Sequence, residues 1–534
     1  MDDRANGRKH NGQTHKGQGS GPDRRRRDPD GEGRRNNRGR ERNRGGNAPR
    51  GFSESTPAQR VREADAARLV AFEVLRAVSK DNAYANLVLP AKIRANRLDK
   101  RDAGLATELG YGALRAKGSY DAVIAACVDR PLADVDEAIL DALRLGAHQL
   151  LAMRIPPHAA VNQTVGLARA VIGAGPASFI NAVLRKIAAK DLSEWLDELT
   201  AGLSDPVKIA AIRQAHPEWI VRALRQSLVA HGRPVEEIDA LLEADNAAPV
   251  VNLVALPGLG DLAEAFDADF TPGPLVADSA LSAGGDPGRL GSIREGVVRV
   301  QDVGSQLVAR ALAAAPLTGT GGAPERWLDL CAGPGGKAAL LAALAKQRGA
   351  TLLANEPAEH RAELVRKALA AVPGELWQLR VADGRTIAED YPETFDRILV
   401  DAPCSGLGAL RRRPESRWRR TPAEVAELSQ LQRELLVAGL AALKPGGVLG
   451  YATCSPHPAE TLAVVTDVLR KRDDLELLDA GEVLDGVALK PLHAGQPAAG
   501  LGNSGSGASA QLWPHLHATD AMFLTLIRKT NREN

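Results

Sequence analysis

Aromatic residues, cysteines and long apolar runs are all scarce in this chain of 534 residues. Phe, Trp and Tyr make up only 3% of it, so the core must rely on Ala, Leu and Val, which favours helices. Four cysteines are too few for a disulfide framework and favour a reducing compartment, the cytoplasm. No uncharged apolar run reaches about 18 residues, and the N-terminus lacks the apolar segment of a secretory signal. We therefore expect no transmembrane helix and no membrane partner.

Positive charge is concentrated at the start of the chain. The net charge of the whole chain is +2, but residues 1–60 contain 16 Lys and Arg against 8 Asp and Glu. These residues have almost no apolar side chains to offset the entropy of ordering, so we expect a disordered, Gly- and Arg-rich tail. Such a tail is typical of proteins that associate with nucleic acid. A solvated tail that only aids solubility would have the same composition, and the sequence does not separate the two.

The rest of the chain divides into three parts by its apolar pattern. Residues 61–190 carry stripes of helical period, as in AILDALRLGAHQLL, and predict a compact all-α domain. Residues 191–300 combine helical segments with the strand-like VVNLVALPG and predict a small α/β connector. Residues 301–534 alternate short apolar runs with helical segments, which predicts an α/β domain with a parallel sheet flanked by helices. Within it, the Gly- and Ser-rich residues 494–510 predict a flexible insertion or linker.

The segment RWLDLCAGPGGKAALLAAL predicts a strand, a glycine-rich turn and a helix. Gly333, Gly335 and Gly336 allow the backbone to bend sharply and to approach a ligand, and the helix that follows offers free N–H groups. The spacing fits neither the GxxxxGK[ST] phosphate loop nor the GxGxxG dinucleotide loop. A glycine turn alone is weak evidence for a binding site.

Acidic residues follow the next three predicted strands. Glu356, in TLLANEP, lies about 20 residues after the glycine turn, where an acid commonly binds ribose hydroxyls. Asp383, in RVADGRT, is placed to hold an adenine amino group, and Asp401 ends the strand RILVD. Each acid by itself is more often a surface residue or a helix cap. Together, at one edge of an open sheet, they favour an adenosyl ligand without phosphates, and S-adenosylmethionine fits.

Two of the cysteines also follow predicted strands, Cys404 in DAPCSG and Cys454 in YATCSPHPAE. If these strands are neighbours in a parallel sheet, both thiols reach the edge that carries the glycine turn. A thiolate beside a methyl donor suits a pyrimidine substrate, because addition of sulfur to carbon 6 makes carbon 5 nucleophilic. Lys337 and the donor's sulfonium would lower the thiol pKa, and Asp401 would hold the N3/N4 edge of the base. The residues alone do not show which thiol attacks.

Cysteines can also be purely structural. Buried structural cysteines behave as small apolar side chains, which is our interpretation of Cys127 in YDAVIAACVD. Cys331 lies inside the glycine turn and is expected to shape it. The long separation of Cys404 from Cys454, without a C-x₂-C pair or clustered His, argues against zinc, so we expect no metal ion.

An arginine-rich run with one tryptophan, RRRPESRWRR, comes shortly after Cys404. Guanidinium groups bind phosphate and an indole offers a face for base stacking, so we predict contact with an RNA strand. A run of like charge is also typical of a solvated surface. A cytosine inside a helix is out of reach, so the target base should be unpaired or flipped out. The predicted RNA-binding residues are Arg411, Arg412, Arg413, Arg417, Trp418, Arg419 and Arg420.

From about residue 61 to 530, the chain resembles the Fmu/Sun family of bacterial RNA cytosine-C5 methyltransferases. DLCAGPGGK resembles the family's S-adenosylmethionine loop, DAPCSGLG and YATCS resemble its two cysteine motifs, and QDVGSQLVA and LWPHLHATDAMF also fit. NLVLP, RDAGLATELGYGALR, LRLGAHQLL and NAVLR resemble the NusB-like RNA-binding domain of the small-subunit rRNA members. The resemblance implies an all-α NusB-like domain followed by an α/β Rossmann-like S-adenosylmethionine-dependent methyltransferase domain.

The resemblance also implies roles for individual residues. In the RNA enzymes the thiol of the later motif attacks carbon 6, here Cys454, and the earlier thiol, here Cys404, assists release. With Asp401 and Lys337, these two cysteines form the predicted catalytic set. The implied S-adenosylmethionine-binding residues are Cys331, Ala332, Gly333, Pro334, Gly335, Gly336, Lys337, Glu356, Asp383 and Asp401.

We therefore predict a cytoplasmic, monomeric, S-adenosylmethionine-dependent cytosine-C5 methyltransferase that acts on 16S rRNA. The same chemistry on tRNA is the nearest alternative, because only the NusB-like resemblance points to rRNA. A non-catalytic RNA-binding or antitermination factor would keep the arginines and tolerate the loss of either thiol. A DNA cytosine methyltransferase would use the Pro-Cys thiol, Cys404, as its nucleophile.

Overall fold

The computed structural model describes residues 65–282, 284, 286–319, 322–496 and 509–530. The predicted basic tail, residues 1–60, lies outside the described residues, as does most of the predicted insertion at 494–510.

The first part of the described chain is helical, as its apolar stripes predict. Asp99 illustrates how these helices begin, since its side chain accepts the backbone N–H of Asp102 in the first turn. Leu143 and Ala147, on the stripe of AILDALRLGAHQLL, are fully buried in the core of this part. Among the described residues, no helix is both long and apolar enough to cross a bilayer. Helices α1 to α8 are Ala66–Asp81, Ala85–Ala95, Lys100–Arg115, Lys117–Cys127, Glu137–Leu151, Pro157–Val171, Ala174–Ile187 and Leu192–Thr200.

Three more helices and a small sheet connect this part to the C-terminal part. The sheet is antiparallel, with the order β2-β3-β1-β4, and β1 lies in the segment VVNLVALPG that predicts a strand. Helices α9 to α11 are Pro206–Arg213, Glu218–Ala230 and Ile238–Asn246, and the short helices α12 and α13 are Ala263–Asp267 and Gly291–Arg294. Strands β1 to β4 are Asn252–Ala255, Thr271–Pro272, Ser279–Leu281 and Val298–Val300.

The C-terminal part is an α/β layer structure around a larger sheet. Five adjacent strands of this sheet are parallel, in the order β9-β8-β5-β6-β7 with β7 at the edge, and all five coincide with predicted strands. Strands β5 to β9 are Arg326–Asp329, Thr351–Asn355, Trp377–Arg380, Phe395–Asp401 and Leu443–Thr453. Helices α14 to α21 are Val303–Ala314, Gly336–Gln347, Glu359–Leu369, Ile387–Asp390, Pro422–Ala442, Leu462–Leu469, Ala480–Val487 and Pro514–His517.

The large sheet is mixed and extends beyond the predicted parallel strands. β13 pairs antiparallel with β9, and β10 and β12 pair with the other side of β13. The expectation of a parallel sheet therefore holds for the five strands joined by helices and fails for this extension. The added strands are β10 Leu475–Leu478, β11 Gly495–Gln496, β12 Ser509–Gln511 and β13 Phe523–Lys529.

Successive residues of the central strands supply the cores on opposite faces of the sheet. Trp327 packs with α14, α15 and α16 in one core, while its neighbour Leu328 packs with α18 and α19 in the other. A strand covered on both faces is apolar throughout and leaves only its ends near solvent. Polar side chains of this sheet are therefore expected at the carboxyl ends of the strands.

Candidate active site

The loop between β5 and α15 is built around two tightly enclosed glycines. Gly335 has φ of 105°, and a Cβ there would lie 2.4 Å from the Cβ of Ala368. A Cβ on Gly333 would lie 2.2 Å from Oε2 of Glu356. The bare backbone therefore forms a cradle at the N-terminus of α15, where free N–H groups favour an acidic ligand group.

Acidic side chains lie at the carboxyl ends of four consecutive strands of the sheet. Asp329 ends β5, Glu356 follows β6, Asp383 follows β7 and Asp401 ends β8. Because these strands are parallel neighbours, the four acids share one edge of the sheet with the glycine loop. The sequence predicts this arrangement for three of the acids.

The acids at this edge differ in their surroundings. Glu356 is only 2% exposed, and it accepts the backbone N–H groups of Gly333 and Ala358, both at 3.1 Å. It therefore braces the glycine loop. Asp383 is partly exposed, pairs with Arg385, and has its pKa lowered mainly by the hydrogen bond from that arginine.

The two thiols that the sequence singles out are in contact. Sγ of Cys404 lies 3.4 Å from Sγ of Cys454, within hydrogen-bond distance for sulfur. The cause is the pairing of β8 with β9, which sets Asp401 beside Ala452 and leaves both cysteine loops at the same edge. The predicted meeting of the two thiols beside the glycine loop is thus what the structure shows.

Lys337, on the first turn of α15, brings a positive charge to the thiols. Its ammonium donates a hydrogen bond to Oδ2 of Asp401 at 2.9 Å. The pKa of Cys454 is lowered, chiefly by the hydrogen bond from Cys404 and further by Lys337, against the effects of burial and Asp401. The same hydrogen bond, followed by burial, raises the pKa of Cys404 well above the usual range. These opposite directions favour Cys454 as the ionised member of the pair.

Asp329 is a site residue that the sequence reasoning missed. Its carboxyl group is buried, and apart from a weak interaction with the backbone N–H of Cys331, neither oxygen has a hydrogen-bond partner among the described residues. Burial, followed by the charge of Asp401, raises its pKa to about 7. Its position, the last residue of a strand before the glycine turn, was the signal that could have identified it.

We expect Asp329→Asn to stabilise the protein increasingly as the pH rises from about 4 to 7. The raised pKa means that the folded protein holds this proton more tightly than the unfolded chain does. Stability is thus full at low pH and falls with rising pH, by up to about 4 kcal/mol in total. Urea unfolding of variant and wild type across this range measures the difference. Asp383→Asn, where the pKa is lowered, should give no such gain, and a pH-independent difference for Asp329→Asn would contradict the prediction.

The first two arginines of RRRPESRWRR form a network with buried acids from distant segments. Arg411 donates to Asp302 at 2.6 Å and to Asp520 at 3.2 Å, and Arg412 pairs with the same Asp520. Asp520 and Asp302 are themselves buried. The prediction that Arg411 contacts RNA is therefore wrong, because its guanidinium group is enclosed and engaged by carboxylates. This network fixes the segment after Cys404 to the start of α14 and of β13.

Arg417 and Arg419 join this segment to the helical part of the chain. Arg417 is fully buried and donates to the carbonyls of Arg115, at the end of α3, and Asp245. Arg419 donates to the carbonyls of Val78 and Ala83, at the end of α1. Carbonyls at helix ends lack intrahelical partners and attract cations. The RNA-contact prediction is therefore wrong for Arg417, and Arg419 is likewise engaged by backbone.

Four members of the run keep an accessible surface, and the side chain of Arg412 is 38% exposed despite its pair with Asp520. Arg413 is exposed and lies over the ring of Tyr84, Trp418 is 36% exposed, and Arg420 pairs with Glu424 on the surface. Their contact with RNA stays a prediction.

The fold and the edge of the sheet define a class of protein. The bare glycine cradle, the helix N-terminus and the acids after successive strands fit S-adenosylmethionine, with the unpartnered carboxyl of Asp329 as a further polar group. This combination defines a Rossmann-like, S-adenosylmethionine-dependent methyltransferase.

Comparison with known proteins identifies the family. Residues 322–528 match the family described as 16S rRNA methyltransferase RsmB/F, and residues 65–189 match the NusB family. A Mycobacterium tuberculosis protein with a methyltransferase name is 50% identical over 474 residues, 88% of this chain and 98% of that protein. Ribosomal RNA small subunit methyltransferase B of Pseudomonas putida is 33% identical over 433 residues, 77% of this chain and 91% of that enzyme. The chain belongs to the RsmB/F family of S-adenosylmethionine-dependent RNA methyltransferases, and the predicted family and fold class are confirmed.

A solved structure shares the fold. The crystal structure of PH0851 superposes with a TM-score of 0.68, over 87% of this chain and 99% of that one, at 20% sequence identity. At this identity the likeness concerns the fold alone.

Proposed function

We propose that this protein methylates carbon 5 of a cytosine in 16S rRNA through a temporary covalent bond between Cys454 and carbon 6. The observation that carries the proposal is the contact of two thiols at 3.4 Å beside the glycine cradle. The family description and the name of the Pseudomonas relative support ribosomal RNA as the substrate. An enzyme of this specificity works in the cytoplasm, where ribosomal subunits are assembled.

The proposed S-adenosylmethionine site is the cradle with the acids around it. Residues 331–337 would surround the methionine end, Glu356 the ribose hydroxyls and Asp383 the adenine. Glu356 is already placed against Gly333, and Asp383 is partly exposed beside Arg385. The bound group supplies the methyl group that carbon 5 receives.

The two thiols would have different roles in the reaction. Cys454, whose pKa is lowered, adds as the thiolate to carbon 6, and Lys337 stabilises the negative charge before the addition. Asp401, held by Lys337, would accept hydrogen bonds from the N3/N4 edge of the base. After methylation a base takes the proton from carbon 5, and the carbon–sulfur bond breaks to restore the Cys454 thiolate. Cys404, in contact with Cys454, is placed to assist this release.

The accessible part of the arginine run is proposed to contact the RNA strand near the target base. Arg413 and Arg420 would meet phosphates, and Trp418 would stack on a base. A target that is unpaired or flipped out would reach the thiols, which a base inside a helix would not.

Bisulfite sequencing of RNA from a deletion strain tests the proposal. We expect one cytosine of 16S rRNA to lose its methyl group and all tRNA cytosines to keep theirs. Loss of a tRNA methyl group instead would support the tRNA alternative. An unchanged methylation pattern in both RNAs would support a non-catalytic RNA-binding protein.

A further inference from the structure

A carboxylate lies fully buried behind the two thiols. Glu460 ends the short 3-10 turn Pro458–Glu460, which comes shortly after β9. Its Oε1 accepts the backbone N–H of Ser405 at 2.7 Å, and its Oε2 accepts the hydroxyls of Ser405 and Ser455 at 2.5 and 2.6 Å. These hydrogen bonds, all from neutral donors, offset the cost of removing the carboxylate from water.

The two serines are the chain neighbours of the two thiols. Ser405 follows Cys404 and Ser455 follows Cys454, and the two hydroxyl oxygens are 3.1 Å apart. One side chain therefore ties together the loops that carry both thiols, across the ends of β8 and β9.

Three further hydrogen bonds hold this arrangement from the outside. Gln432, on α18, donates to the carbonyl of Pro403 at 2.8 Å, immediately before Cys404, and to Oε1 of Glu460 at 3.3 Å. The hydroxyl of Tyr451, on β9, donates to the carbonyl of Glu460 at 2.7 Å. The carboxylate is thus fixed relative to both strands, and a movement of one cysteine loop would break bonds to the other.

The charge of Glu460 acts unequally on the two thiols. The pKa of Cys404 is raised mainly by the hydrogen bond to Cys454 and by burial. The charge of Glu460 raises it further. At Cys454, Lys337 lowers the pKa, while the larger effect of Asp401 and that of Asp520 raise it. The negative group behind Cys404 therefore favours a proton on Cys404 and a charge on Cys454.

We propose that Glu460 is a positioning residue that holds the two thiols in contact and keeps the shared proton on Cys404. The proposal rests on the proposed function, in which the two thiols have different tasks. It concerns the free protein, however, and is therefore measurable without RNA.

Initial rates of alkylation by iodoacetamide test the proposal on the full chain. The rates at Cys404 and Cys454 are followed separately by peptide mass spectrometry between pH 6 and 9. We expect Cys454 to react faster in the wild type, because the thiolate is the reactive form. In Glu460→Gln the ratio of the two rates should fall about tenfold, since loss of the charge allows Cys404 to ionise. The matched control is Glu476→Gln, which removes a surface ion pair with Arg528 and should leave the ratio unchanged.

Steady-state kinetics provide the second readout. Glu460→Gln should lower kcat by roughly 100-fold, because proton placement is lost, while KM for RNA and for S-adenosylmethionine stay near wild type. Ser405→Ala removes the hydrogen bond from the Ser405 hydroxyl to Glu460 but keeps the one from the backbone N–H. It should therefore lower the alkylation-rate ratio and kcat as Glu460→Gln does, but by a smaller factor. If Glu460→Gln does not fold, as judged by near-ultraviolet circular dichroism, Ser405→Ala decides.

An unchanged alkylation ratio overturns the proposal, in folded Glu460→Gln or, where that variant does not fold, in Ser405→Ala. A lower kcat with an unchanged ratio also overturns it, because that result shows a purely structural role. Failure of the proposed function is a separate outcome: the methylation pattern of the deletion strain would be unchanged, while the alkylation ratio would still respond to Glu460.

Discussion

A Cys454→Ser enzyme is expected to lose methyl transfer by at least about 10⁴-fold and to form no covalent adduct with RNA. A serine hydroxyl is not ionised near neutral pH. The thiol of Cys454, in contrast, has its pKa lowered by the hydrogen bond from Cys404 and by the charge of Lys337. Cys404→Ala should behave in the opposite way and accumulate the adduct, because attack continues while release is slowed.

Transfer of a labelled methyl group and a denaturing gel of the protein–RNA adduct measure the two effects. Cys127→Ala is the matched control, because Cys127 is buried in the core of the helical part and takes no part in the site. Wild-type turnover by Cys454→Ser would contradict the mechanism. An adduct trapped by loss of Cys454 and absent without Cys404 would reverse the two roles, as in the DNA-methyltransferase alternative.

Arg417→Met is expected to lower the free energy of unfolding by roughly 3–5 kcal/mol, which for a chain of this length lowers the melting temperature by about 3–5 °C. The guanidinium group donates to the carbonyls of Arg115 and Asp245 and to the side chain of Asn246, at 3.0, 2.8 and 2.7 Å. Without it these buried acceptors lose their donor. The buried carboxyl of Asp245, whose pKa burial raises to about 7, also loses the cation that favours its ionised form.

Scanning calorimetry of full-length variants measures this effect. Arg420→Met is the matched control from the same run, because its pair with Glu424 is exposed and contributes little. Equal melting temperatures for Arg417→Met and the wild type would show that the buried guanidinium does not stabilise the junction between the two parts.

The sequence was informative where a local pattern determines the geometry. Buried strands have continuous apolar runs, and parallel neighbours end at the same edge of the sheet. Cys404 follows one such strand and Cys454 follows its neighbour, so the apolar runs alone predict that the two thiols meet. The same rule, applied to the last residue of RWLD, would also have identified Asp329.

The arginine run shows where a local pattern is insufficient. Charge density predicts a solvated or RNA-binding surface, but Arg411 finds its acidic partner Asp520 109 residues away, and Arg417 reaches Arg115 across 302 residues. Burial of a guanidinium depends on such partners, which the run itself does not reveal. The antiparallel extension was missed for a related reason, since the partner of β13 is determined by the whole sheet.

The position of β13 has a consequence for synthesis of the protein on the ribosome. This strand, the last one described, hydrogen-bonds to β9 on one side and to β10 and β12 on the other. Until residues 523–529 emerge, the nascent chain presents an open edge of β9 that other strands can join. The chain in this interval is therefore exposed to self-association, and β13 completes the sheet by pairing between strands that are synthesised before it.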